Sequence, residues 1–256
     1  MTNVKINKIV KTILLLVFLV TAWMIIANQT NPIFVPTPIK VLEVLVESIK
    51  NGQLLKALQY SFFRITIATL ISAVIAIPVG LFIYNVKIAR DFLYPVISAM
   101  RYIPVTAFYP LLIMWFGIDE TMKVTFLFIA TFVYMMPSVM LALDEVSQDL
   151  IDTGLTIGMN KMQTITRIQI PATLPSLMNS FIMMYGIGWT YIAVAETVNA
   201  KYGLGFIIQQ SSSRGRTDLV FMAIITIIIV SVIFDSISTK LVKKIFKWRY
   251  IDDCSE

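Results

Sequence analysis

Apolar residues in this chain fall into long blocks separated by short polar stretches. Six blocks stand out: Ile13 to Ala27, Phe62 to Tyr84, Phe92 to Phe116, Met122 to Leu143, Leu177 to Val198 and Leu219 to Ile237. A helix needs about 20 apolar residues to cross a bilayer core, so the pattern predicts an all-α chain of about six spans. The first block is the shortest and follows Lys5, Lys8 and Lys11. No small-x-small cleavage pattern follows it in Ile-Ala-Asn-Gln, so it reads as an uncleaved first span rather than a signal peptide. Pro32, Pro36 and Pro38 then predict an extended linker. Ile39 to Ile49 is amphipathic, with Lys40, Glu43, Glu47 and Lys50 as its polar positions, and suits a helix lying along the membrane surface. Asn51-Gly52 predicts a turn, and a helix from Leu54 leads into the second span, where Arg64 is placed to snorkel near the end. Val86 to Asp91 and Asn199 to Thr217 read as loops. Pro95, Pro104 and Pro110 predict breaks in the third block.

One polar interruption has a helical pattern of its own, from Glu145 to Pro175. Leu150, Ile151, Leu155 and Ile157 carry an apolar face as far as Gly158, a residue suited to leaving a helix through a left-handed conformation. Asn160 then caps a second helix, with Gln163 in the capping-box position. Met162, Ile165 and Ile168 share one face of it, and Pro171 is expected to close it. The prediction is a helix-turn-helix between two spans, shaped to be gripped from outside the bilayer.

Composition changes the picture by excluding a soluble domain. Hydrophobic residues make up 57% of the chain, charged residues 14%, and the mean hydropathy is +0.80, against about 45–50% and 25% in soluble domains. The net charge of +6 reads as a topology signal, not as nucleic-acid binding. Twelve Lys and Arg fall on the predicted inner segments and eight on the outer ones, mostly because of the two ends of the chain. That bias places both termini and the Glu145–Pro175 interruption in the cytoplasm. The expected organisation is a cytoplasmic start and first span over 1–31, and an extracytoplasmic linker with its interfacial helix over 32–53. A membrane-spanning core over 54–241 follows, containing the loop 144–175, and then a basic tail over 242–256.

Chemistry is sparse. There is no His and a single Cys, Cys254 in the tail, so neither a metal site nor a His-based catalytic centre nor an internal disulfide is expected. No G-x4-G-K-[ST] phosphate loop occurs, so the chain lacks a nucleotide cradle, and no cofactor is implied. Gly186-x-Gly188 reads as a close-packing site. Four charges lie in or beside spans: Arg64, Arg101, Glu196 and Asp235. A charge at the centre of a span costs about 2.5–3.5 kcal/mol, so each should face protein or water. Arg101 suits either an anion on a transport path or an inter-helix ion pair; Glu196 suits either a gate or the partner of an Arg. Asp235 is expected to pair locally or to cap a helix end. Met183, Met184, Tyr185, Trp189 and Tyr191 make the fifth span either a path wall or simple packing, with Met184 and Trp189 as path candidates.

Gly158, nine residues, then Ile168-Gln169-Ile170-Pro171 resembles the G-x9-I-x-L-P part of the EAA loop of ABC-importer permeases. Asp152-Thr153-Gly154 stands where Glu-Ala-Ala is usual. Further patches resemble the nitrate, sulfonate and taurine branch. They are Pro36-Thr37-Pro38, Gly52 with Ser61 and Arg64, Pro95, Arg101-Tyr102-Ile103-Pro104, Pro110-Leu111, Phe116-Gly117-Ile118, Ala195-Glu196, Gly203-Leu204-Gly205, Asp235 and Trp248. The resemblance implies a type I importer architecture and a homodimeric permease in the inner membrane of a prokaryote. It also implies two copies of a separate ATPase and an extracytoplasmic solute-binding protein. Asp152, Gly154, Gly158, Ile168, Ile170 and Pro171 would then receive the ATPase. The cargo implied is a small anion such as a sulfonate, taurine or nitrate, with riboflavin or a thiamine pyrimidine precursor as alternatives. An ion-coupled secondary transporter, using Glu196 and Asp235, is the reading from another class.

Overall fold

The computed structural model describes residues 2–198 and 200–250, with side chains from residue 10 onward; Cys254 lies outside them. Helices dominate: α1 (Thr2–Gln29), α2 (Pro38–Lys50), α3 (Gln53–Asn85), α4 (Lys87–Ala99), α5 (Tyr109–Phe116), α6 (Glu120–Asp144), α7 (Gln148–Thr156), α8 (Lys161–Thr164), α9 (Ile170–Ala195), α10 (Leu204–Ser213) and α11 (Thr217–Ile245). Five are long and apolar enough to cross a bilayer, α8 and α9 running together as one of them. The sixth candidate is a bent pair, Lys87–Tyr102 and Val105–Phe116, meeting at 85°.

Polar contacts show that this bent pair still travels from one end of the bundle to the other. At its start, Arg90 donates to Asp144 at the last residue of α6 (2.8 Å). At its far side, Asp119 caps the first residue of α6, and the Tyr109 hydroxyl meets Thr197 just beyond α9 (3.1 Å). The pair therefore joins the two opposite ends of α6, as a crossing must. The break lies at Pro104: Ile103 before it is extended (ψ 123°), as a residue preceding proline prefers. Pro95 sits inside α4 without ending it, and Pro110 occupies the first turn of α5, where its missing N–H is not needed.

The helices pack in two apolar layers. Near the Arg64 end, Ile65, Phe126, Leu127, Trp189, Ile192 and Leu204 are buried together. Near the loop end, Ala76, Met136, Val139, Met140, Leu143 and Met184 form the second layer. Small residues permit the closest approaches. A Cβ on Gly188 would lie 2.7 Å from the Ile65 side chain, whereas one on Gly186 would meet nothing within 4 Å, so only Gly188 has the close-packing role expected of Gly186-x-Gly188.

Several expectations are corrected. The Val86–Asp91 loop shrinks to Val86, because α4 begins at Lys87 and Arg90 N–H bonds the Val86 carbonyl (2.8 Å). The stretch 199–217 contains a full helix, α10, whose first-turn residue Leu204 is buried in the core. The linker is turn-like, and α2 begins at Pro38, with the Thr37 hydroxyl accepting from Lys40 N–H (3.3 Å). Helix α2 also presents Val41 and Val44 to the bundle. Its outward stripe of Ile39, Leu42, Val46 and Ile49 is exposed.

Candidate functional site: a loop-end knob and an ion-pair latch

The interruption from Glu145 to Pro175 folds as a helix-turn-helix. Helix α7 ends in a Schellman motif: Met159 N–H bonds the Gly154 carbonyl (3.0 Å), and Gly158 N–H bonds that of Leu155 (3.0 Å). Gly158 adopts φ +87°, the left-handed conformation that such an exit requires and that a side chain would strain. Asn160 and Gln163 then form the reciprocal capping box, 2.9 Å in each direction. Gly154 is buried because α7 crosses the following segment there. A Cβ on it would strike the tip of Ile168. Gly154 is therefore a close-approach residue, a role its low helix propensity does not reveal.

Pro171 does not close the second helix. Residues Ile165–Gln169 form a π-turn, in which the Ile170 N–H reaches back to the Ile165 carbonyl. The chain then continues through Pro171 into α9. The widened turn accommodates a residue with no N–H to donate, so the loop runs straight into a span. The knob is thereby continuous with α9. Gly154, Ile168 and the capped turn come together. Asp152 stays on the exposed face, its carboxylate accepting from Gln148 (3.1 Å). Leu150, Leu155, Ile157 and Met162 are exposed apolar residues on the knob, Ile157 and Met162 each at 68%. They form an exposed apolar patch at the loop end of the bundle.

At the opposite end, scattered sequence patches converge on one buried latch. Arg64 is 3% exposed and Glu196 0%, so Arg64 does not snorkel. Its guanidinium pairs with Glu196, grips Glu120 through Nε (2.7 Å) and Nη2 (2.8 Å), and donates to the Tyr202 carbonyl (2.8 Å). Glu196 further accepts from Ser61 Oγ (2.9 Å) and from Gly205 N–H (2.8 Å). Ser61 Oγ in turn accepts from Leu204 N–H (2.9 Å). Gly203 leaves room for the carboxylate; a Cβ there would overlap it, and its φ of +146° is itself unsuited to a side chain. Every partner of the buried charge is thus supplied, the condition under which such a pair is tolerated. Glu196 is the partner of an Arg, and α3, α6, α9 and α10 are fastened together. Glu120 had no signal in local sequence, and Gly205 was marked only by its place in the Gly203-Leu204-Gly205 patch.

Other path candidates separate. Met184 and Trp189 are buried in the two apolar layers of a single protomer, so neither borders open space there. Arg101 is exposed in the short turn at the 85° bend, its Nε donating to the Ser98 carbonyl (3.0 Å). Asp235 is exposed on α11, which runs on to Ile245, so of the two roles expected of it, local pairing or capping, it does not cap the helix end.

Six helical spans, a bent third crossing and a capped knob continuous with a span define a polytopic transport subunit of the type I importer architecture. The chain belongs to the family of binding-protein-dependent transport system inner membrane components, whose profile matches residues 72–247. It is 29% identical over 241 residues to the taurine transport system permease protein of Escherichia coli, covering 91% of this chain and 88% of that one. It is 27% identical over 241 residues to a protein named for aliphatic sulfonates transport in Bacillus subtilis, covering 93% and 87%. Its fold matches a chain of the inward-facing methionine ABC transporter MetNI with a TM-score of 0.67 at 20% identity, covering 76% of this chain and 97% of that chain.

Proposed function

We propose that two copies of this chain form the membrane path of an importer for small sulfonate-type anions, driven by a separate ATPase. The knob α7–α8 faces the cytosol with both termini. Two ATPase subunits grip its exposed apolar face, and an extracytoplasmic binding protein delivers solute at the Arg64 end. The observation that carries this reading is the knob itself, an exposed apolar surface on a rigidly capped turn that continues into α9. An ATPase whose affinity differs between two states of the permease would shift its equilibrium through this contact. The sulfonate class rests on the two relatives named for taurine and aliphatic sulfonates. Arg101, exposed at the bend, is the charged side chain best placed to meet an anion on the path.

The test is reconstitution with the ATPase and the binding protein. Substituting Gly158→Val should abolish solute-stimulated ATP hydrolysis while the protein still inserts and purifies intact. Undiminished stimulation would refute the coupling role.

A further inference from the structure

The loop end carries a half-open pocket of mixed polar and apolar lining that the coupling role does not use. It has a volume of about 430 Å³ and lies between α6, α9 and the segment after α11. Small-molecule sites span roughly 300–1,000 Å³. Ser176, Asn179 and Ser180 line it from α9. Their i, i+3, i+4 spacing makes one polar stripe on an otherwise apolar span. Within a span, such a stripe faces the bundle interior or water rather than lipid; Ser180 Oγ donates to the Ser176 carbonyl (3.0 Å). Across from it, among the described residues, stands one carboxylate, Glu145, and over it lies one guanidinium, Arg249, beside Tyr250.

The two charged groups are only loosely engaged with one another. Arg249 Nη2 reaches Glu145 at 3.3 Å, whereas the Arg90–Asp144 and Arg216–Asp218 pairs close to 2.8 Å. Glu145 accepts a better bond from Ser176 Oγ (2.7 Å). Asn179 Nδ2 donates to the Tyr250 hydroxyl (2.9 Å), which ties Tyr250 to α9. One positive and one negative group therefore face a cavity at a stretched separation, among hydroxyl and amide groups.

The geometry points to a binding site for a small zwitterion, with its sulfonate on Arg249, Asn179 and Tyr250 and its ammonium on Glu145. A plain anion would meet the Glu145 carboxylate unpaired, and a plain amine would meet Arg249. A zwitterion replaces one long ion pair with two short ones. Resting on the importer reading, and with the sulfonate taken from the relatives named for taurine and aliphatic sulfonates, this puts a discharge site for an aminoalkylsulfonate on the loop side of the path.

The experiment measures binding of taurine, ethanesulfonate and ethylamine to the intact permease–ATPase complex in nanodiscs by calorimetry, alongside ATP-driven uptake. Wild type should prefer taurine. Arg249→Gln should weaken taurine binding by about tenfold to a hundredfold, the worth of a charge-assisted hydrogen bond. Glu145→Gln should weaken taurine by a similar factor and improve ethanesulfonate. Asn179→Leu, which keeps the fold of α9, should lower sulfonate affinity without touching the ion pair. Taurine binding absent in the wild type, or unchanged in both charge variants, overturns the site. If ATP-driven sulfonate uptake persists in that case, the importer reading stands and the site alone falls; loss of uptake by wild type condemns the importer reading.

Discussion

Removing the guanidinium of Arg64 would leave Glu196 buried, with only Ser61 and the Gly205 amide to answer its charge. Breaking a buried pair in this way costs about 3–5 kcal/mol. Arg64→Met is therefore expected to lower the melting temperature of the purified protein sharply. Arg64→Met with Glu196→Met should lose less than the sum of the single variants, and strict additivity would show that the two groups do not interact. Gly154 gives a graded test. Ala there meets the flexible tip of Ile168 and gains up to about 1 kcal/mol of helix propensity, so its coupling should survive. Gly154→Leu has no such room, and its solute-stimulated ATP hydrolysis should fall while expression is retained. Single residues were the least legible part of the sequence. Arg64 and Glu196 were each recognisable as expensive charges, but their 132-residue separation hid the pairing. Met184 and Trp189 looked equally apt for a wall or a core, because composition does not say which face of a span is covered.

At the scale of elements, capping chemistry was readable and helix continuity was not. Asn160, Gln163 and Gly158 announced the turn because local hydrogen bonds alone decide it. Pro171 misled because a π-turn upstream removes the need for its N–H. Helix α10 was concealed within a Gly- and Ser-rich stretch, since burial of Leu204 and Ile207 outweighs weak local preference there. Two substitutions probe the join between knob and span. Asn160→Ala removes half of the capping box and should cost about 1 kcal/mol, seen as faster amide exchange confined to the α7–α8 turn. Pro171→Ala restores an N–H and should let the π-turn relax into an α-helix. The knob would then rotate relative to α9, and stimulated ATP hydrolysis should drop with little change in melting temperature. A Pro171→Ala protein with full coupling would show that the widened turn has no mechanical role.

For the whole molecule, the block pattern of apolar residues sufficed for six crossings, because span length is fixed by the bilayer and not by tertiary detail. The 85° bend in the third crossing was foreshadowed by Pro104, though not its size. One end of the bundle is fastened by the Arg64 latch, while the other presents an apolar knob and a half-open pocket. That asymmetry suits a machine pushed from one side and loaded from the other. The central claim is that the knob lies in the cytosol under an ATPase. Cys254 is the only native cysteine, so a Cys254→Ser chain carrying Ile157→Cys reports the knob alone. A membrane-impermeant maleimide should label it in inverted vesicles and not in intact cells, and adding the ATPase should protect it. Labelling from outside intact cells would contradict the account.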